Sequence, residues 1–387
     1  MIKQLKLLFA AGMLAASGMA GATQCQGALG AIASYQAQLN ACLGNALCIA
    51  QTEEQFFGSH PECFGANLNT GAAIQRIQAT AFDQIQVLSS AITNRFKEST
   101  TPTGIRGDSG QRTGLAAGNP AGKWNVWASV AETNTKFDRG NYFFNTAERT
   151  NKFDSKIENL VVGGDYLLAP NLVLGLSGAF DSGRGSAASY ALNNVTGAKS
   201  VSTSGSSYAP YIGWQINKDW ALDATIGLGD GKSTVDNSIR SETDRFFYGT
   251  NLSYTSWKGN WQLTGKGSYL FGKEESGDSN NNGASIANSK VTNEISQFRL
   301  GGQAAYWMNG FMPYFGLGYA WDANRYSSTS QAQQDATAMG KSALVWSLGV
   351  NFVSISNAMT GGIGYEQESS RERSKFDKWT ANINLRF

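Results

Sequence analysis

Proton-transfer catalysis near neutral pH draws first on histidine, and the 387-residue chain contains one, His60. It stands in Gly58-Ser59-His60-Pro61, a run of turn formers, and reads as a solvated loop residue rather than a base or a ligand. With no second histidine, a Ser-His-Asp site anywhere beyond that turn is excluded by inventory. Gly107-Asp108-Ser109-Gly110 has the composition of a serine-esterase nucleophile block, but that chemistry needs a downstream Asp-x-x-His and no histidine follows. The overlapping Arg106-Gly107-Asp108-Ser109 is an integrin-type tetrapeptide, of a kind that chance supplies in so glycine-rich a chain. The chain is read as a non-enzyme, without metal or cofactor.

Cys25, Cys42, Cys48 and Cys63 all lie in the first 63 residues. A zinc site would need a tight Cys-x-x-Cys pair, which is absent. Two disulfides are expected instead, with three connectivities open, provided the segment is exported to an oxidising compartment. An export signal is present. Lys3 and Lys6 precede an apolar run from Leu7 to Ala16, and Ala20-Gly21-Ala22 supplies the small-x-small cleavage pattern, so residues 1–22 are expected to be removed. Thr23-Gln24 before Cys25 does not fit a lipoprotein signal.

No later stretch approaches the ~18 apolar residues of a membrane helix. Yet the charged fraction is only 16%, below the roughly 25% of ordinary globular domains, and glycine reaches 45 residues. A net charge of +2 leaves no electrostatic footprint for nucleic acid. Little charge, many glycines and 11% aromatics suit a membrane barrel with an apolar outside and a polar lumen.

The elements follow from periodicity. Residues 23–70 form a small Cys-bearing segment, read as two short helices around Leu43-Gly44-Asn45. Over 71–97, Ile74, Ile77, Ala81, Ile85, Leu88, Ile92 and Phe96 recur at spacings of three and four, predicting one helix of about 40 Å. That length crosses an outer-membrane barrel, although an amphipathic helix packed on another surface has the same spacing. A polar linker, 98–122, follows.

From Trp124 onward the period is two. Twelve alternating segments are predicted, at 123–137, 156–168, 171–183, 205–216, 220–231, 244–257, 261–273, 293–307, 311–325, 342–353, 358–369 and 375–387. Trp379, Ala381, Ile383, Leu385 and Phe387 share one face of the last, opposite Lys378, Thr380, Asn382, Asn384 and Arg386. Ten or more residues is the length of a tilted membrane strand, beyond the five or six of a soluble sandwich. Short links such as Ala169-Pro170 and Lys258-Gly259-Asn260 alternate with long Ser/Asn/Gly-rich ones such as 274–292, the pattern of periplasmic turns and external loops. Trp220, Trp257, Trp261 and Phe311 beside short turns, and Phe246 and Tyr326 near long ones, are placed in interfacial girdles. Asp181, Asp223, Lys266, Arg299, Asp322, Lys378 and Arg386 fall on polar faces, and so into the lumen. There they should pair with one another, with water, or with Arg76, Asp83 and Arg95 of the helix. Such charges can hold a plug or gate a solute path, and the plug is the reading favoured.

Twelve strands, a preceding helix and the closing Ala381-Asn382-Ile383-Asn384-Leu385-Arg386-Phe387 resemble the translocator domain of monomeric autotransporters. The stretch Val162-Gly163-Gly164-Asp165-Tyr166-Leu167-Leu168-Ala169-Pro170-Asn171-Leu172-Val173-Leu174-Gly175-Leu176 is similar to that family's second hairpin. The resemblance covers residues 71–387. It implies an all-β membrane protein, a 12-stranded antiparallel transmembrane β-barrel over 123–387 with the 71–97 helix inside its lumen. It further implies that an N-terminal passenger crosses the outer membrane of a Gram-negative bacterium, and that Ile383, Leu385 and Phe387 form the signal read by the barrel-assembly machinery. The expected partners are that machinery, periplasmic chaperones and outer-membrane lipid, and the expected state is a monomer. Family passengers are long repetitive β-helices, whereas here residues 23–70 alone precede the helix, a minimal passenger. The functional expectation is translocation or display of that segment at the cell surface. The alternative is a non-secreting surface adhesin or structural barrel acting through its external loops. A small-solute channel is disfavoured by the helix expected to fill the lumen.

Overall fold

The computed structural model describes residues 123–138, 142–144, 147–191, 194–286, 289–328, 339–354 and 359–386, together with Gln38 and Ala41, both helical. The signal peptide, the four cysteines, His60, the 71–97 helix, the linker and Phe387 lie outside the described residues.

In chain order the strands are β1 (Trp124–Asp138), β2 (Tyr142–Phe144), β3 (Ala147–Ala169), β4 (Leu172–Ala191), β5 (Asn194–Gln215), β6 (Trp220–Val235), β7 (Ile239–Lys258), β8 (Trp261–Ser276), β9 (Ser279–Asn281), β10 (Ala284–Ile286), β11 (Val291–Tyr306), β12 (Phe311–Ser327), β13 (Ser342–Ser354), β14 (Met359–Ser369) and β15 (Ser374–Arg386). Twelve of them pair antiparallel with their neighbours in sequence, β8 passing to β11, and β1 pairs with β15 from Asn125↔Arg386 to Phe137↔Ser374. The sheet therefore closes into a 12-stranded barrel with no free edge. β2, β9 and β10 are short strands of the long connections: β2 pairs with β3, and β9 with β10 and β7.

Alternation sets the two faces. On β1, Trp127 is 2% exposed while Val126 and Val130 are 46% and 53% exposed. The outward residues of β3 run Leu168, Tyr166, Gly164, Val162, Leu160 and then turn to Glu158, Lys156 and Asp154. The same change from apolar to charged falls between Val130 and Glu132, Leu228 and Asp230, Phe246 and Asp244, Phe271 and Lys273, and Trp379 and Asp377. The nine-residue stretch 160–168 of β3 thus turns five residues to an apolar phase, and its length is the reach of a tilted strand through a bilayer. Around β7, β8, β11 and β12 the belt is a chain of lipid-facing rings. Tyr248 stacks on Phe271 at 5.2 Å, Tyr269 meets Phe298 at 4.7 Å, and Phe298 stacks on Trp321 at 5.9 Å.

The short connections are turns at one end. Asn309 (φ 48°) and Gly310 (φ 97°) both need the left-handed region, which asparagine and glycine tolerate best, and they reverse the chain between β11 and β12. At the other end the structure departs from expectation. Stretches expected as long loops continue the strands: β4 runs to Ala191 and β5 starts at Asn194, and β6 and β7 are joined by Asp236–Ser238 alone. The reason is a weaker contrast between the faces. Beyond the charged line the outer face is charged, while the inner face stays buried but is largely Ser, Thr and Gly with a few apolar residues such as Phe137, Phe153, Val235 and Ile239. Hydropathy therefore alternates less while backbone pairing carries on, helped by surface pairs such as Lys152–Asp138 at 3.1 Å and Lys156–Glu132 at 2.8 Å. With 23 residues in β3 against 11 in β14, three strands away around the ring, the longest barrel strand has about 40 Å more length than the shortest.

Candidate functional site: the barrel lumen

Near the short turns the inner face is a network built around glycines. Asn125 Nδ2 donates to Asp165 at 2.8 Å, Tyr211 Oη donates to the same carboxylate at 3.1 Å, and Trp127 Nε1 donates to Tyr211 Oη at 2.9 Å. The indole lies over Gly163, where an added Cβ would come within 2.3 Å of the ring, and Tyr211 lies over Gly175 in the same way, at 2.2 Å. These glycines belong to the hairpin motif noted in the sequence, and they let large inner rings cross neighbouring strands.

Trp257, expected in the outer girdle, is a correction. Counting by two from the buried Asn251, Ser253 and Thr255 puts it on the inner face, where it packs with Ala305, Trp307 and Met312. Trp220, Trp261 and Phe311 do face outward, at 39%, 51% and 61% exposure.

Midway up is a cavity of about 300 Å³, lined by Lys266 of β8, Arg299 of β11, Tyr314 of β12, Glu366 of β14 and Lys378 and Asn382 of β15. Arg299 is fully engaged. Its Nη1 donates to Glu366 at 2.8 Å, Nη2 to Glu368 at 2.7 Å, and Nε to Gln297 at 2.7 Å. Lys378 Nζ lies 3.8 Å from Glu366. Asp223, 3% exposed, accepts a hydrogen bond from Asn251 at 2.6 Å.

Toward the long connections stand two ionic clusters. Arg371 donates from Nε to Glu368 at 2.8 Å and from Nη1 to Asp322 at 2.6 Å, and Asp322 also pairs with Arg325 and accepts from Gln297. On the opposite wall Arg245 bridges Asp181 of β4 and Glu274 of β8, the latter at 3.1 Å, all three nearly inaccessible.

The structure thus places Asp181, Asp223, Lys266, Arg299, Asp322 and Lys378 inside the barrel. Arg299 and Lys378 meet at Glu366, and Arg299 and Asp322 are linked through Glu368 and Arg371. Asp181 belongs to the other cluster. Ile383 and Leu385 are on the outer face of β15, 39% and 41% exposed, opposite Ala128 and Val126 in register; Arg386 continues the ladder opposite Asn125. Sequence reasoning did not single out Arg245, Glu274, Glu366, Glu368 or Arg371. Glu366 and Glu368 had a signal, since they share a face with Gly362 and Gly364 and alternate with Ile363 and Tyr365.

The model of the autotransporter β-domain family matches residues 126–366. Among solved structures, the translocator domain of the autotransporter NalP from Neisseria meningitidis is similar at 12% identity, over 79% of this chain and 98% of that one, with a TM-score of 0.52. The β domain of the Bordetella autotransporter BrkA matches at 13% identity, over 68% and 100% of the two chains, with a TM-score of 0.49. The transport unit of the autotransporter AIDA-I from Escherichia coli matches at 11% identity, over 77% and 98%, also at 0.49. At 12% identity the likeness to the NalP domain speaks to fold alone. No curated protein sequence matches the chain.

Proposed function

The chain belongs to the autotransporter β-domain family, and on that premise we propose that its barrel translocates or displays the segment 23–70 at the surface of a Gram-negative cell. Barrels of this family reside in the Gram-negative outer membrane. In this reading residues 1–22 are a cleaved export signal, 23–70 a minimal disulfide-closed passenger, and 71–97 the helix that remains in the lumen. The carrying observation is the interior: a polar, charge-lined passage enclosed by a level apolar belt, which accepts an unfolded or helical segment without exposing its backbone to lipid.

An epitope inserted between residues 23 and 70 tests it. Antibody or membrane-impermeant maleimide should reach that epitope on intact cells. Labelling that appears only after the outer membrane is permeabilised would show the segment to be periplasmic, and the display reading would fall. The projecting wall of β3 to β7 favours a second reading, a barrel that acts through its external rim; that reading predicts unchanged surface function when residues 23–70 are removed.

A further inference from the structure

Lys266 is the lumen charge that the ionic networks do not absorb. It lines the cavity, half-buried, and its ammonium makes no ion pair or hydrogen bond with any described residue. The carboxylates that act on it from farther off are committed. Glu366 is held by Arg299 and Lys378, and Asp223 takes the amide of Asn251. Lys378 and Arg299 face it as like charges. Among the described residues, the charged groups on the cavity wall are three cations, Lys266, Arg299 and Lys378, against one carboxylate, Glu366.

A cation taken from water into a protein interior is costly unless an anion and hydrogen bonds accompany it. The surroundings fit an anion. Beside the three cations stand the Asn382 amide and the Tyr314 hydroxyl. Tyr314 is held against β13 and β14 by Gly349 and Gly364, where an added Cβ would come within 2.7 Å and 2.2 Å of its ring or oxygen. The cavity, about 300 Å³, admits an oxyanion with part of its hydration shell.

We propose that the middle of the lumen is an anion site centred on Lys266, with Arg299, Lys378, Tyr314 and Asn382 around it, and that its ligand is an oxyanion, a carboxylate or a phosphate. The site stands whether or not residues 23–70 reach the cell surface, so its failure and that of the display reading are separable.

The test compares full-length protein with Lys266→Met and Lys266→Arg by thermal melting in detergent. Each is measured in a zwitterionic buffer with and without inorganic phosphate. Methionine matches the volume of the stem and removes the charge. Because Asp223 and Glu366 act on Lys266 from a distance, loss of the charge alone can lower the melting point, so the phosphate-dependent part of the difference decides. The expected result is a Lys266→Met melting point below that of the parent, with Lys266→Arg near the parent. If phosphate raises melting of the parent saturably and leaves Lys266→Met unmoved, the ligand is a diffusible anion. If the full difference is present without phosphate and phosphate moves neither protein, the loss belongs to the distant Asp223 and Glu366 and the proposal falls. Lys266→Met melting at or above the parent in both buffers overturns the proposal. Should the methionine variant not refold, Lys266→Gln is read by the same criteria.

Discussion

Arg245 shows how a side chain crosses a barrel wall. Its guanidinium lies over Gly231 of β6 and Gly205 of β5, where added Cβ atoms would come within 2.7 Å and 2.5 Å of its nitrogens, and so reaches Asp181 on β4, three strands from its own. Removing it leaves Asp181 and Glu274 buried without their cation. Arg245→Met should destabilise the barrel by about 3–5 kcal/mol, the range for breaking one side of a buried pair, read as a lower melting transition. Gly231→Ala should also destabilise, because the close atoms there are the Arg245 side chain and Thr243 Oγ1. The two substitutions should be strongly sub-additive, since in Arg245→Met the alanine meets a more yielding neighbour. Full additivity would mean that the glycine does not serve the arginine. The sequence placed Asp181 in the lumen, but its partner Arg245 and the glycines beneath that side chain were not legible. Arg245 shares its inner face with Phe247 and precedes Phe246, so alternation reads poorly there, and Asp181 lies 64 residues away. Lys266 was legible, because Gln262, Thr264 and Ser268 share its face between outward Leu263, Gly265, Gly267 and Tyr269.

Strand positions were legible for the opposite reason: within the lipid belt each strand has one apolar and one polar face, and period two survives. All twelve predicted segments fall on barrel strands. Their upper ends were not legible, because above Glu132, Glu158 and Asp230 the outer face is charged and the inner face is mostly Ser, Thr and Gly, with Phe137, Phe153 and Val235 only at intervals, so a paired strand comes close to the composition of a loop. If those extensions stand in water and carry no part of the closed wall, they should be dispensable for folding. Replacing residues 187–199 by Asn-Gly, which turns directly between the paired Ser186 and Ser200, should leave outer-membrane levels and melting unchanged. A large loss of folded protein would show the projecting wall to be integral to the barrel. The closing element makes the contrary demand. β15 zips to β1 along its whole length, so Phe387→Ala, at the expected assembly signal, should sharply lower outer-membrane levels. Unchanged levels would remove the terminal aromatic from the assembly signal.

For the whole molecule the open matter is what stands inside a closed wall whose interior is charged at mid-height and above. An 8-stranded barrel is filled by its own side chains, and a 12-stranded one is only modestly wider. Here inner residues such as Trp127, Tyr211, Phe247 and Arg245 lie flat over glycines instead of projecting to the axis, which keeps room for a further element. A helix over 71–97, as the proposed function has it, would have the length to occupy it. The full-length protein should therefore conduct little in planar bilayers. Deleting residues 71–97 should raise single-channel conductance severalfold and lower the melting temperature, because the charges that met the helix then face water alone. Heat-modifiable migration in detergent gels separates a folded deletion variant from a misfolded one. A variant that folds by that criterion yet conducts no more than the parent would place the helix outside the pore, and the wall's own side chains would then have to close the lumen.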